Sequence, residues 1–213
     1  MTSKRILLFA GGNLGEWAIR HIQEHDVLVG VDRGAWFLIE NGISPHLSIG
    51  DFDSVTQEEK DQIKSRSQQM TDCDPIMKDL TDTEMALHWA MNQEPDEILM
   101  IGVLGSRFDH TLANVHLLAK GLHAQTSCRI IDAFNEIRLI TEACTVSQDD
   151  FAHLSLLPLS QEVTGITLEG FQYPLENATL RIGDTLGISN ILIEPIGRIS
   201  LKTGQLLVIR SKD

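Results

Sequence analysis

Up to about Phe134 the chain repeats one pattern: a short run rich in Ile, Leu and Val, then a segment whose apolar residues recur at three- and four-residue steps. The runs are 6–10, 27–31, 46–49, 98–103 and 128–131, and between them lie 14–24, 35–40, 56–67, 81–92 and 111–122. Strands apolar on both faces must be covered on both, so the pattern predicts a parallel sheet between two layers of helices, a Rossmann-like α/β domain. Thr56 with Glu59 and Thr81 with Glu84 each spell the S/T-x-x-E capping box and mark two helix starts. After Phe134 the helical period is lost. Short alternating segments follow, punctuated by Pro158, Gly165, Gly170, Pro174, Gly183, Gly187, Pro195, Gly197 and Gly204, which predicts a small antiparallel β-sandwich. The expected division is 1–134, α/β, and 135–213, all-β.

Composition narrows the partners. The 213 residues carry 30 acidic and 17 basic side chains, a formal charge of −13. Without a basic cluster, such a surface repels a nucleic-acid backbone and an anionic membrane, so neither is an expected partner. No stretch approaches the roughly 20 apolar residues of a membrane span. The apolar run before Gly11-Gly12 is too short for a signal peptide. Cys73, Cys128 and Cys144 lie far apart and form no CxxC pair, which argues against a disulfide framework or a thiolate zinc site and for a reducing cytoplasm.

In a parallel α/β sheet, ligands bind outside the carboxyl ends of the strands. The residues expected there are repeatedly aspartates. Asp32 follows the second run, and Gly50-Asp51-Phe52-Asp53-Ser54 follows the third. Lys78-Asp79-Leu80-Thr81-Asp82 opens a helix, and the run at 98–103 leads into Gly105-Ser106-Arg107-Phe108-Asp109-His110. An Asp at a helix start also stabilises it as a cap, by about 0.5–2 kcal/mol, and for Asp82 and Asp109 taken singly both readings stand. Asp51 and Asp53, at i and i+2, are expected to point the same way, and adjacent like charges favour a cation between them. Carboxylates with no Cys and only scattered His form an oxygen-donor set suited to Mg²⁺ or Mn²⁺. Magnesium held in this way completes its shell with water and phosphate oxygens, so the set points to nucleotide or phosphoryl chemistry. The P-loop pattern is absent. Gly11-Gly12-Asn13-Leu14-Gly15 either lets backbone N–H groups approach a phosphate or is a tight strand-to-helix turn. Arg33, Lys78 and Arg107 either neutralise a polyphosphate or offset their acidic neighbours.

The GDFDS segment, the stretch from Lys78 through Thr81, Asp82 and Glu84 to Leu87, and the stretch from Gly102 through Arg107, Asp109 and His110 to Asn114 together resemble the thiamine pyrophosphokinase family. Gly11-Gly12, Asp32-Arg33-Gly34-Ala35 and Gly187-Ile188-Ser189-Asn190 extend the resemblance over nearly the whole chain. It implies diphosphate transfer from ATP to the hydroxyl of thiamine, with AMP as the leaving group. It implies a Mg²⁺-dependent, nucleotide-binding N-terminal domain, a thiamine-binding β domain, and a homodimer whose active sites are shared between subunits. Asp51, Asp53, Asp79, Asp82 and Asp109 form the implied catalytic set, the first four as magnesium ligands or acids behind them. Asp32, Thr81, Arg107, His110 and Asn114 are expected to face substrate, Ser189 and Asn190 to line the thiamine pocket, and Gly11, Gly12, Arg33 and Lys78 to meet phosphate. One of Asp79 and Asp82 is expected to accept the hydroxyl proton. Two alternatives stand beside this reading: a pyrophosphokinase for another hydroxymethyl heterocycle of the pterin type, and a non-catalytic thiamine or nucleotide sensor.

Overall fold

Ile6, Leu7, Leu8 and Phe9 are fully buried, so the first strand is covered on both faces, as its unbroken apolar run requires. The computed structural model describes residues 3–72 and 79–213, in two units divided between Ala133 and Phe134.

The first unit contains β1 (Arg5–Phe9), α1 (Glu16–Ile19), β2 (Val27–Val31), α2 (Arg33–Glu40), β3 (Leu47–Gly50), α3 (Gln57–Arg66), β4 (Gln69–Asp72), α4 (Asp82–Met91), β5 (Glu97–Ile101), α5 (Phe108–His123) and β6 (Ser127–Ile131). All six strands run parallel in the order β6-β5-β1-β2-β3-β4. The sequence-based reading found five of them. β4, Gln-Met-Thr-Asp, is an edge strand with no apolar run, and its mostly exposed residues left no hydrophobic signal.

Two helix expectations need correction. The segment expected to be helical over 14–24 is helical only over Glu16–Ile19. It starts at Gly15 with no side-chain cap, and its continuation makes i→i+3 bonds, His21 N–H to Ala18 O and Ile22 N–H to Ile19 O. The capping box at α3 is complete: Thr56 Oγ1 accepts from Glu59 N–H, and Glu59 accepts from Thr56 N–H at 2.6 Å. At α4 only half of it forms. Thr81 Oγ1 accepts from Glu84 N–H, but the Glu84 carboxylate pairs with Lys120 Nζ on α5 at 2.9 Å. There the helix–helix ion pair displaces the reciprocal cap.

The second unit contains β7 (Asn135–Ile140), β8 (Cys144–Ser147), β9 (His153–Pro158), β10 (Glu162–Glu169), β11 (Leu175–Arg181), β12 (Asn190–Ile191), β13 (Ile196–Ser200) and β14 (Leu206–Ser211). They pair antiparallel in two sets, β12-β9-β14-β7 and β11-β10-β13-β8. Leu154, Leu156, Leu206 and Val208 from the first set share one core with Val146, Val163, Ile166, Leu168, Leu180 and Ile199 from the second. That is the expected sandwich. Among the described residues, no helix is long and apolar enough to cross a membrane.

Candidate active site

The chain proceeds from β1 outward through β2, β3 and β4, then returns to place β5 on the other side of β1. Loops leaving β1 and β5 therefore diverge, which is where an open α/β sheet forms its binding crevice. A cleft of about 400 Å³ lies there. It is lined by Gly11 and Gly12 after β1, Asp32 and Arg33 after β2, Thr81 and Asp82 at the start of α4, residues 102–107 after β5, and His110 and Asn114 on α5.

The acidic centre of this unit is formed by Asp32, Asp51 and Asp82, with carboxylate oxygens all within 4.8 Å of one another. Backbone geometry brings Asp32 and Asp51 together. Asp32 precedes α2 at φ +47°, a strained conformation for a residue with a side chain, and makes no side-chain cap. Its Oδ1 instead accepts from Phe52 N–H at 3.0 Å. Gly50, at φ +148°, leaves room for that carboxyl: a Cβ at Gly50 would lie 2.0 Å from Asp32 Oδ1. Phe52, at φ +58°, buries its ring with Ala35, Ile39 and Ile63 and so anchors the turn that carries Asp51. Burial is the main force pushing the Asp32 carboxyl up to about 7. The Phe52 hydrogen bond opposes the rise, while Asp82 and Asp51 add to it. A partly buried carboxyl crowded by two others, with only hard oxygen donors, fits a divalent cation of the magnesium type.

This cluster is not the one the strand periodicity suggested. β3 ends at Gly50 and the chain turns at Phe52, so the i, i+2 argument does not hold for Asp51 and Asp53. Asp53 is exposed and donates its own N–H to Asp51 Oδ1 at 3.1 Å. Asp79 is exposed and, like Asp53, lies outside the three-carboxylate cluster. Asp32, expected only to line the site, is a full member. The signal that could have found it is strand order, since β2 and β3 are neighbours and put the ends of both runs side by side.

Other expected residues divide similarly. Arg107, His110, Asn114 and Thr81 line the cleft, whereas Asp109 holds Arg107 Nη2 at 2.7 Å with both side chains largely exposed. This pairing keeps the Asp109 carboxyl below, and the Arg107 guanidinium above, its ordinary value. Asn114 is buried, and its Nδ2 donates to Val103 O at 2.7 Å, so it braces the loop leaving β5. The Gly12 N–H is engaged by Gly102 O at 2.7 Å. A Cβ at Gly12 would meet Gly102 O and Leu104 O at 2.4 and 2.5 Å, so this glycine permits close packing of two loops instead of offering its amide to a phosphate. Lys78 lies outside the described residues. In the β unit Ser189 is exposed at φ +58°, while the Asn190 side chain is buried and bonded to backbone, unlike the open pocket residue expected.

Comparison with known proteins agrees with this architecture. The model of the thiamin pyrophosphokinase catalytic domain matches residues 19–131, and that of the thiamin pyrophosphokinase vitamin B1 binding domain matches residues 143–206. The thiamine pyrophosphokinase of Bacillus subtilis (strain 168) is 37% identical over 214 residues, covering 99% of this chain and 100% of that protein. A crystal structure of thiamine pyrophosphokinase from Bacillus subtilis superposes with a TM-score of 0.92 at 36% identity, covering 99% of this chain and 100% of that one. One of thiamin pyrophosphokinase from Geobacillus thermodenitrificans gives 0.89 at 36%, covering 98% of each. The thiamin pyrophosphokinase from Candida albicans, at 18% identity and a TM-score of 0.82, with 99% of this chain and 90% of that one covered, extends the likeness of fold alone. These matches do not favour the pterin-type or sensor alternatives. Two family models in series and a relative matched from end to end establish that the chain belongs to the thiamin pyrophosphokinase family and is an enzyme of that activity, a thiamine diphosphokinase.

Proposed function

We propose that the cleft of the α/β unit binds Mg-ATP and that the thiamine hydroxyl attacks its β-phosphorus in line, giving thiamine diphosphate and AMP. The observation that carries this reading is the Asp32, Asp51 and Asp82 cluster beside a cleft that also holds Arg33 and Arg107. The three carboxylates would hold Mg²⁺, and when bound the ion neutralises and orients phosphate oxygens. Asp53 and Asp79 stand as acids behind that set. Arg33 and Arg107 supply further positive charge for the triphosphate, and Asp109 keeps the Arg107 guanidinium oriented. Gly11 and Lys78 are the further residues proposed to bind phosphate, and His110, which lines the cleft, is proposed to bind substrate. Thr81 fixes the start of α4 and therefore the place of Asp82. One of Asp79 and Asp82 accepts the hydroxyl proton. Phosphoryl transfer needs positioning and charge neutralisation more than a covalent nucleophile, which suits such a site.

The β unit is the proposed holder of thiamine, through Ser189 and the segment around Asn190. We also propose a cytoplasmic homodimer with active sites shared between subunits. Exposed Ile182, Leu186, Ile193 and Ile196 support a covered surface on the β unit, and the unpaired Cys128 and Cys144 support a reducing compartment. Product identification by mass with thiamine and Mg-ATP tests the reaction, and sedimentation tests the dimer. Thiamine diphosphate and AMP in equal amounts are expected. Transfer of a single phosphoryl group, leaving ADP, would refute the reading.

A further inference from the structure

Given the reading of the Asp32, Asp51 and Asp82 cluster as a magnesium site, we propose that Lys60 is a positioning residue for that site. It acts through the peptide between Asp51 and Phe52, which is gripped at both of its polar ends. The carbonyl, Asp51 O, accepts from Lys60 Nζ at 3.5 Å, and the amide, Phe52 N–H, donates to Asp32 Oδ1 at 3.0 Å. In a trans peptide the C=O and N–H point in opposite directions within one plane, so restraining the oxygen aims the amide. Lys60 therefore sets the direction from which Asp32 is held, and the same peptide carries Asp51. An ammonium on the carbonyl also polarises the peptide and strengthens its N–H as a donor to Asp32.

The local chain does not favour that orientation by itself. Phe52 sits at φ +58°, a conformation that a bulky residue keeps only where its surroundings over-determine it. The buried Phe52 ring supplies one restraint, and Lys60 supplies another on the backbone, with its Nζ 5.4 Å from the centroid of the same ring. Lys60 stands on a fixed support. Its N–H donates to Thr56 O at 2.9 Å, directly behind the complete capping box, and Ile63 of the same helix is fully buried. The third partner of the ammonium is Asp72 Oδ2, at 2.8 Å, at the end of β4, where Asp72 lies in register with Gly50. With the Asp72 side chain 58% exposed, this ion pair adds little to stability. What it does is keep the ammonium beside the Asp51 carbonyl.

The sign of one shift separates positioning from charge. An ammonium and a divalent cation repel each other, so through the field alone Lys60→Met would tighten Mg²⁺ binding, whereas lost positioning weakens it. Two readouts on the full chain test this. One is the free Mg²⁺ concentration at half-maximal thiamine-dependent AMP release with saturating ATP. The other, without nucleotide, is the Mg²⁺ concentration at half of the Mg²⁺-induced rise in melting temperature, with the metal-free melt as the folding control. Lys60→Met should raise both about tenfold, Lys60→Arg should bring both back to within about threefold of wild type, and Asp72→Asn should leave both within about twofold. An unchanged or lowered Mg²⁺ requirement in Lys60→Met overturns the proposal. So does an equal loss in Asp72→Asn, which would trace the effect to the ion pair at the strand end and not to the Asp51 carbonyl. Wild-type protein whose AMP release and melting temperature ignore Mg²⁺ would overturn the underlying metal reading, a failure visible before any variant is made.

Discussion

Beside the cleft of the α/β unit three carboxylates converge within 4.8 Å, whereas the segment around Asn190 in the β unit presents an exposed ring and aliphatic side chains on a hydrogen-bonded frame. The first region works against its own stability. Packing like charges together and burying part of Asp32 costs free energy that the rest of the fold supplies. The second region is part of the frame that stabilises the sandwich. Removing charge from the first should therefore abolish activity without unfolding the protein, while truncation in the sandwich core of the β unit should lower stability.

The sharpest break of that comparison is Asp82→Asn or Asp51→Asn, measured by thiamine-dependent AMP release and by melting temperature. Activity should fall at least about 100-fold, with the melting temperature of the metal-free protein unchanged or raised. Full activity in a folded variant would remove the metal assignment. Next in size is Leu180→Ala in the sandwich core, expected to cost about 3 kcal/mol in urea unfolding. If it left stability intact but lowered activity, the contrast between the two units would be misdrawn.

A smaller effect concerns pH. The folded Asp32 carboxyl titrates at about 7 against an ordinary value of 3.8, so between those values the folded state holds a proton that the unfolded chain has released. Stability of the metal-free protein should therefore fall as pH rises from about 4 to about 7, by about 2 kcal/mol after allowance for partial exposure. Asp32→Asn should flatten that slope, and a slope that persists would place its origin elsewhere. Smallest is the difference between two caps. Thr56→Ala should cost about 1 kcal/mol, because it breaks a complete box, and Thr81→Ala somewhat less. The order would reverse if Thr81 carried more than a half-formed cap, and chemical denaturation of both variants decides it.

The strands with apolar runs were legible because burial on both faces leaves an unbroken hydrophobic signature, as in residues 6–9. β4 was not, since an edge strand of Gln, Met, Thr and Asp is stabilised by its ladder with β3. The candidate site was legible as a list of motifs, with aspartates after successive strands, but its membership was not. Sequence spacing paired Asp51 with Asp53. The turn at Phe52 instead exposes Asp53, and the adjacency of β2 and β3 brings in Asp32. Asn190 was legible as part of a motif and illegible as a clip, because its partner Tyr173 lies 17 residues away.

Local chemistry in the sequence determined the alternation of strand and helix, the change to β structure after Phe134, the two helix starts and the family. Each depends on residue type and period over a few positions, and no distant partner is needed to read it. Tertiary structure decided which carboxylates meet, which caps close and which polar side chains remain open to a ligand. Those outcomes depend on strand order, positive-φ turns and competition from partners such as Lys120 for Glu84, and they couple residues that chain separation keeps apart.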